Sequence, residues 1–283
     1  RVDRLRPQSR LASVPRFGES ALASSNKGAR MAQAEFLTTE QGRKLAYHKT
    51  DGTGPGVVFL GGFKSDMEGT KAEHLEAWAQ RTGRAFLRFD YSGHGQSSGA
   101  FTEGCIGDWA EDAMSVIGAL TEGPQVLVGS SMGGWISLLC ARAMPDKLAG
   151  LVTIAAAPDF TEDSMWAGFD SAQRTALQET GQVELPSEYG APYIITRRLI
   201  EDGRDHLVLR APLELPCPVR FLQGTADEDV ETAVALRLLD HATGPDMRLT
   251  LVDGADHRFS DDDCLALIEA SVEEVLARAA KAW

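Results

Sequence analysis

The run Gly129-Ser130-Ser131-Met132-Gly133 sets a serine between two glycines, each two residues away. It directly follows Gln125–Val128 and leads straight into Gly134-Trp135-Ile136-Ser137-Leu138-Leu139. Such a stretch reads as strand, sharp turn, helix. The flanking glycines relieve the crowding of a turn that can hold the serine in a strained backbone conformation. The hydroxyl then projects above the strand end, near a helix N-terminus whose partial positive charge favours an anion. A second Gly-x-Ser-x-Gly, Gly95-Gln96-Ser97-Ser98-Gly99, follows Phe89-Asp90-Tyr91-Ser92, but no helix starts promptly after Gly99. It reads as a glycine-rich loop beside the site. Ser130 cannot replace Ser131 in the pattern, because positions 128 and 132 are Val and Met. Ser131 is the candidate nucleophile.

A serine hydroxyl is barely ionised near neutral pH and needs a base, which in turn needs an orienting carboxylate. The histidines are His48, His74, His94, His206, His241 and His257. His48 lies in an early strand pattern and His74 on a helix face, where structural roles are expected. His257, in Gly254-Ala255-Asp256-His257, follows the last strand and precedes the final helix, so its loop opens on the same edge of a sheet as Ser131. The carboxylate is expected after the preceding strand, in Gly224-Thr225-Ala226-Asp227-Glu228-Asp229-Val230. Asp227 is the choice, with Asp229 the rival and a solvated acidic turn the bland alternative for the run. Asp256 adjoins the base in sequence and is read as structural. Acyl transfer also requires donors to a developing oxyanion. The backbone N–H of Met132, the residue after the nucleophile, is one. The N–H of Phe63, after the Gly61-Gly62 that closes the run Val57–Leu60, is the other.

These residues need a scaffold. Glu35–Thr39 and Leu45–Lys49 around Gly42 read as a hairpin. Short apolar strands are expected at Val57–Leu60, Ala85–Phe89, Val126–Val128, Leu151–Ala155, Val219–Leu222 and Arg248–Val252. Helical periodicity marks Thr70–Thr82, Asp108–Leu120, Trp135–Ala143, Glu231–Leu239 and Cys264–Ala280. Strands alternating with amphipathic helices imply a mostly parallel sheet covered by helices on both faces. Residues 158–212 break the alternation. They carry Met165, Trp166, Phe169, Tyr189, Tyr193, Ile194 and Ile195, and are expected to form a small, mostly helical cap between core segments 31–157 and 213–283. Ordinary crossover helices are the other reading of that stretch. The chain order Ser131, Asp227, His257 is that of α/β-hydrolases and differs from the orders on the chymotrypsin and subtilisin folds.

The whole composition sets limits. The chain has 283 residues, 43% hydrophobic and 24% charged, which suits a globular core and excludes a disordered or disulfide-scaffold chain. Net charge is −13, yet residues 1–30 alone carry +5, leaving −18 on the remainder. A body so acidic repels nucleic acids and anionic lipid surfaces, so neither is an expected partner. The longest uncharged stretch, Gly123–Ala141, is broken by Pro124 and glycines and makes a poor membrane span. Cys105, Cys140, Cys217 and Cys264 fit no metal or redox spacing and read as small apolar fillers in a reducing compartment. No cofactor and no metal is expected. Residues 1–30 are Arg- and Ser-rich and lack an apolar signal core; they read as a transit-like or upstream extension, with Met31 a credible native start. A cytoplasmic location is expected, or a mitochondrial one if 1–30 is a transit peptide.

Gly69-Thr70-Lys71-Ala72, Arg88-Phe89-Asp90-Tyr91-Ser92-Gly93, Gly123-Pro124-Gln125 and Val128-Gly129-Ser130-Ser131-Met132-Gly133-Gly134-Trp135 resemble the α/β-hydrolase domain-containing protein 10 family. Pro216-Cys217-Pro218-Val219-Arg220 and Asp256-His257-Arg258 continue the resemblance, which runs from about residue 43 to 280. It departs at Glu231, where many relatives have Pro, and in the 158–212 segment, which matches only around Leu185-Pro186-Ser187-Glu188-Tyr189. The resemblance implies an α/β-hydrolase fold and the same Ser131, Asp227 and His257. It also implies an acyl-protein thioesterase and acyl-glucuronide esterase. The expected reaction is therefore cleavage of carboxylic esters or thioesters through an acyl-enzyme, on a small molecule or an acylated protein. A general carboxylesterase or lipase, a C–C bond hydrolase and a peptidase are rival enzymes. A non-catalytic small-ligand receptor on the same fold, or an interaction module, are rivals of another kind.

Overall fold

Glu35–Thr38 (β1) and Lys44–Thr50 (β2) pair antiparallel across a turn in which Gly42 takes a φ of 82°. Thr53–Leu60 (β3), Arg84–Phe89 (β4), Gln125–Ser130 (β5) and Leu148–Ile154 (β6) follow, with helices Thr70–Thr82 (α1), Ile106–Leu120 (α2) and Met132–Ala143 (α3) between them. The computed structural model describes residues 33–185 and 192–282. The 1–30 extension, Met31 and Pro186–Tyr189 lie outside them. The described residues from Ala34 onward form one compact unit.

Beyond β6 the chain leaves the sheet. A π-helical turn at Thr161–Trp166 and the helix Ser171–Thr180 (α4) lead into a ribbon of Gln182–Leu185 (β7) and Tyr193–Thr196 (β8), paired antiparallel. The helix Arg197–Asp205 (α5) and a short strand, Leu213–Glu214 (β9), bring the chain back to Pro218–Gly224 (β10). Thr232–His241 (α6), Ala242–Thr243 (β11), Asp246–Val252 (β12) and Asp262–Ala282 (α7) complete it. The β7–β8 ribbon and the π-helical turn are features that the helical expectation for this stretch did not include.

The main sheet runs β1-β2-β4-β3-β5-β6-β10-β12, parallel from β4 onward. It is the α/β-hydrolase arrangement: a mostly parallel sheet with helices on both faces. The strands are apolar because both faces are covered, and alternate residues feed different cores. Val57, Phe59, Val126 and Val128 join Leu75 and Trp78 of α1 and Ile268 and Val272 of α7. Val58, Leu60 and Leu127 join Trp109 of α2 and Trp135 and Ile136 of α3 on the other side. All four cysteines are buried and unpaired. No described helix is long and apolar enough to cross a membrane.

Candidate active site

Ser131 sits between β5 and α3 with φ 54° and ψ −119°, a backbone conformation that a residue with a Cβ rarely adopts. The neighbouring glycines make the turn feasible. A Cβ on Gly129 would strike the carbonyl of Gly133, and one on Gly133 would strike the carbonyl of Leu60. The Ser131 amide donates to Ile154 O at 2.9 Å, tying the elbow to the next strand.

His257, the expected base, arrives from the loop after β12. His257 Nε2 lies 3.1 Å from Ser131 Oγ, and its Nδ1 lies 3.0 and 2.9 Å from the two oxygens of Asp227. With Nδ1–H donating its hydrogen bond to the carboxylate, Nε2 is left to accept the serine proton. The Asp227 carboxylate is out of contact with solvent and fully occupied. It also accepts the N–H groups of Val230 at 2.8 Å and Asp229 at 3.0 Å and the Gln223 amide at 2.9 Å. Burial pushes its pKa up. The His257 hydrogen bond, the Val230 N–H and the Gln223 amide outweigh that and hold it below the ordinary carboxylate range.

Asp229 contributes its backbone N–H rather than its side chain to this arrangement, so Asp227 is the residue brought to His257. Asp256 accepts the Phe259 amide at 3.1 Å and shapes the loop, as a structural role requires. The bracing by Gln223 was not foreseen. Its signal was a lone amide at the end of the apolar strand Val219–Leu222.

The two residues expected to supply oxyanion donors lie in the segments next to the serine. Met132 opens α3, where a helix leaves its first amides without intrahelical acceptors. The loop after β3 passes close by: a Cβ on Gly62 would lie 3.4 Å from Ser131 Cβ and 3.9 Å from its Oγ. The Phe63 N–H meets no acceptor among the described residues. The Phe63 ring meets Phe101 and Trp109 on one side, and Phe160 and Tyr193 from the chain between β6 and β10, with centroids 4.8 to 6.1 Å away. Phe63, in the loop beside Ser131, is thus the centre of an aromatic cluster.

The other Gly-x-Ser-x-Gly is a brace. Ser97 Oγ accepts the Ala46 N–H and donates to Asp90 O, while Ser98 Oγ accepts the Lys44 N–H. His48 lies in β2, and His74 in α1 pairs with Glu269 at 3.2 Å, both away from Ser131. Asp227, Asp229 and His257 bring ligand-type atoms within 4.8 Å of one another, but Asp227 and His257 are committed to the hydrogen bonds just described.

Known proteins share this architecture. The family model described as serine aminopeptidase, S33, matches residues 56–188. The rat palmitoyl-protein thioesterase ABHD10, mitochondrial, is 35% identical over 243 residues, 85% of this chain and 82% of that protein. The chain belongs to the α/β-hydrolase domain-containing protein 10 family. The solved structure of α/β-hydrolase domain-containing protein 10 from mouse superposes with a TM-score of 0.81 at 34% identity, over 87% of this chain and 99% of that one. A putative hydrolase from Agrobacterium vitis S4 gives a TM-score of 0.83 at 37% identity, over 86% and 98%. As a member of the protein 10 family, the chain is an enzyme of the esterase and thioesterase kind.

Proposed function

We propose that the chain cleaves fatty acyl thioesters and esters with Ser131 as nucleophile, His257 as general base and acid, and Asp227 as the orienting carboxylate. One observation carries this reading: the line of hydrogen bonds from Asp227 through His257 to Ser131 Oγ, at 2.9 to 3.1 Å. His257 takes the hydroxyl proton as Ser131 Oγ bonds to the acyl carbon. The amides of Phe63 and Met132 receive the oxyanion, a contribution of roughly 3 kcal/mol for each such donor. The C–S or C–O bond then breaks, and His257 returns the proton to the departing thiolate or alkoxide. Water repeats the sequence, releasing the carboxylic acid and restoring the serine.

The relatives named as palmitoyl-protein thioesterases favour an S-acyl-cysteine protein as the substrate, and the family resemblance adds acyl glucuronides. We read residues 158–212 as a cap whose aromatic side, Phe160 and Tyr193 against Phe63, suits an acyl chain. The acidic body argues against nucleic-acid partners. The basic, Arg- and Ser-rich residues 1–30 match the mitochondrial naming of these relatives; a reporter carrying them is expected to reach mitochondria, and a diffuse cytoplasmic signal would reject that assignment.

The test compares the wild type with Ser131→Ala on an S-palmitoyl peptide, an acyl glucuronide and a short p-nitrophenyl ester. Cleavage of the thioester or glucuronide, lost by about 10⁴-fold or more in the variant, is expected. Turnover of the short ester alone would reject the substrate while keeping the serine. Equal behaviour of both proteins would reject Ser131.

A further inference from the structure

The loop that carries Phe63 is a tight turn whose third position is unusual. Ser65 N–H donates to Gly62 O at 3.2 Å, and Lys64 has a φ of 55° while Phe63 keeps a negative one. Positive φ at the third position only is the pattern of a type II turn, which favours Gly or Asn there; a lysine is held there against its own preference. Types I and II differ by a flip of the central peptide, here the one joining Phe63 to Lys64. Something must hold that peptide in the flipped orientation.

The Lys64 N–H points at His94 Nε2, 3.3 Å away. An amide can only donate, so Nε2 is the acceptor, and the ring proton sits on Nδ1, which faces Ser92 O at 3.2 Å. His94 is 4% exposed and wedged edge-to-face among Tyr91, Phe101 and Trp109, with centroids 5.1 to 5.6 Å away. Burial lowers its pKa to about 4, so the acceptor persists at neutral pH. The support behind it is anchored in turn. Trp109 Nε1 donates to the same Ser92 O at 3.1 Å, and Asp112 accepts both the amide and the hydroxyl of Ser92. A second tie, the Met67 N–H to Asp90 at 2.7 Å, joins the same two stretches of chain three residues beyond Lys64.

We propose that His94 is a positioning residue for the oxyanion donor: by accepting the Lys64 N–H it fixes the Phe63–Lys64 peptide and thereby the aim of the Phe63 amide at the acyl oxygen. This rests on the reading of Ser131 and Phe63 given above. It also gives the first Gly-x-Ser-x-Gly a purpose, since Gly95–Gly99 pins the segment that presents His94. A histidine that merely filled the core would, when replaced, affect stability or all kinetic constants alike. A positioning histidine affects the transition state selectively.

The experiment uses the full chain with His94→Phe, which keeps a ring without an acceptor, His94→Met, a second variant without an acceptor, and His94→Gln, which offers an amide oxygen. Turnover of a p-nitrophenyl ester, affinity for an alkyl boronic acid that forms a tetrahedral adduct, serine labelling by a fluorophosphonate, and Tm are measured on each. Loss of kcat by about 10- to 100-fold in the Phe and Met variants, with KM nearly unchanged, is expected. Boronate affinity should fall in parallel, and Gln should recover most of both. Wild-type kcat in whichever acceptor-free variant folds would overturn the inference. So would a Gln variant no better than Phe or Met at similar Tm. A wild type whose labelling survives Ser131→Ala, or that does not label, would overturn the esterase reading and this inference with it.

Discussion

At the scale of single residues, the two aspartates of the acidic turn make the sharpest contrast. Asp227 points both oxygens at His257, whereas the Asp229 carboxylate, though nearby, makes no hydrogen bond to the imidazole, and its backbone N–H donates to Asp227. Asp227→Asn is therefore expected to lower kcat by about 10⁴, because an amide in that place favours the wrong imidazole tautomer. Asp229→Asn retains the N–H and should stay within about twofold of the wild type, as a surface exchange does. Steady-state kinetics on one ester decides the pair, and a larger loss at Asp229 would reject the assignment. Because the folded Asp227 pKa lies below its unfolded value, its ionised form adds stability above the ordinary carboxylate pKa. That share is lost as pH falls through the depressed value, so it lies outside the neutral range. That Ser131 and His257 would meet was legible from position along the chain: one at a strand-to-helix turn, the other after the last strand. His94 was not. Its role depends on a loop folding back onto residue 64, and a lysine at positive φ leaves no mark in a sequence.

At the scale of elements, the elbow shows where glycine is required and where it is incidental. A methyl on Gly133 would meet backbone, the carbonyls of Leu60 and Gly61, neither of which can swing aside. Gly133→Ala should therefore lose about 2–3 kcal/mol or more and disturb the loop carrying Phe63. Gly118, in the exposed part of α2, has nothing within 4 Å of its notional Cβ, and Gly118→Ala should gain about 0.5–1 kcal/mol. Thermal melts of the two variants read this directly; similar shifts in one direction would show that the elbow's close approach is not what the glycine serves. The same glycines explain why helix α3 begins earlier than its apolar periodicity suggested. Gly133 and Gly134 are poor helix formers, so the expected start was Trp135, yet the helix opens at Met132 and leaves that amide free beside the serine. The β7–β8 ribbon escaped for a different reason: four-residue strands give too short an alternation to separate from loop.

At the scale of the molecule, the question is what fastens residues 158–185 and 192–212 to the rest of the fold. Their entry and exit meet at one side chain. Asp159, wholly buried at φ 59°, accepts the amides of Val208 at 2.7 Å and Leu209 at 3.0 Å and the Arg210 guanidinium at 2.6 Å. Arg210 also grips Asp163, which Arg237 of α6 reaches at 2.7 Å, so the segment is fastened to the core's last third as well. Asp159→Asn preserves the shape and tolerates the left-handed backbone, but turns an –NH₂ group toward donors that need an acceptor. A stability loss of about 1–3 kcal/mol follows from that mismatch. If the segment is a cap that holds the acyl chain, the loosened variant should raise KM for a palmitoyl thioester several-fold more than for a p-nitrophenyl acetate. The kcat on the short ester should hold, because no part of the serine, histidine and aspartate line passes through Asp159. Equal KM changes on long and short substrates, with Tm lowered as expected, would mean that the clamp stabilises the fold without shaping the acyl site. The cap assignment would then be lost while the chemistry at Ser131 stood.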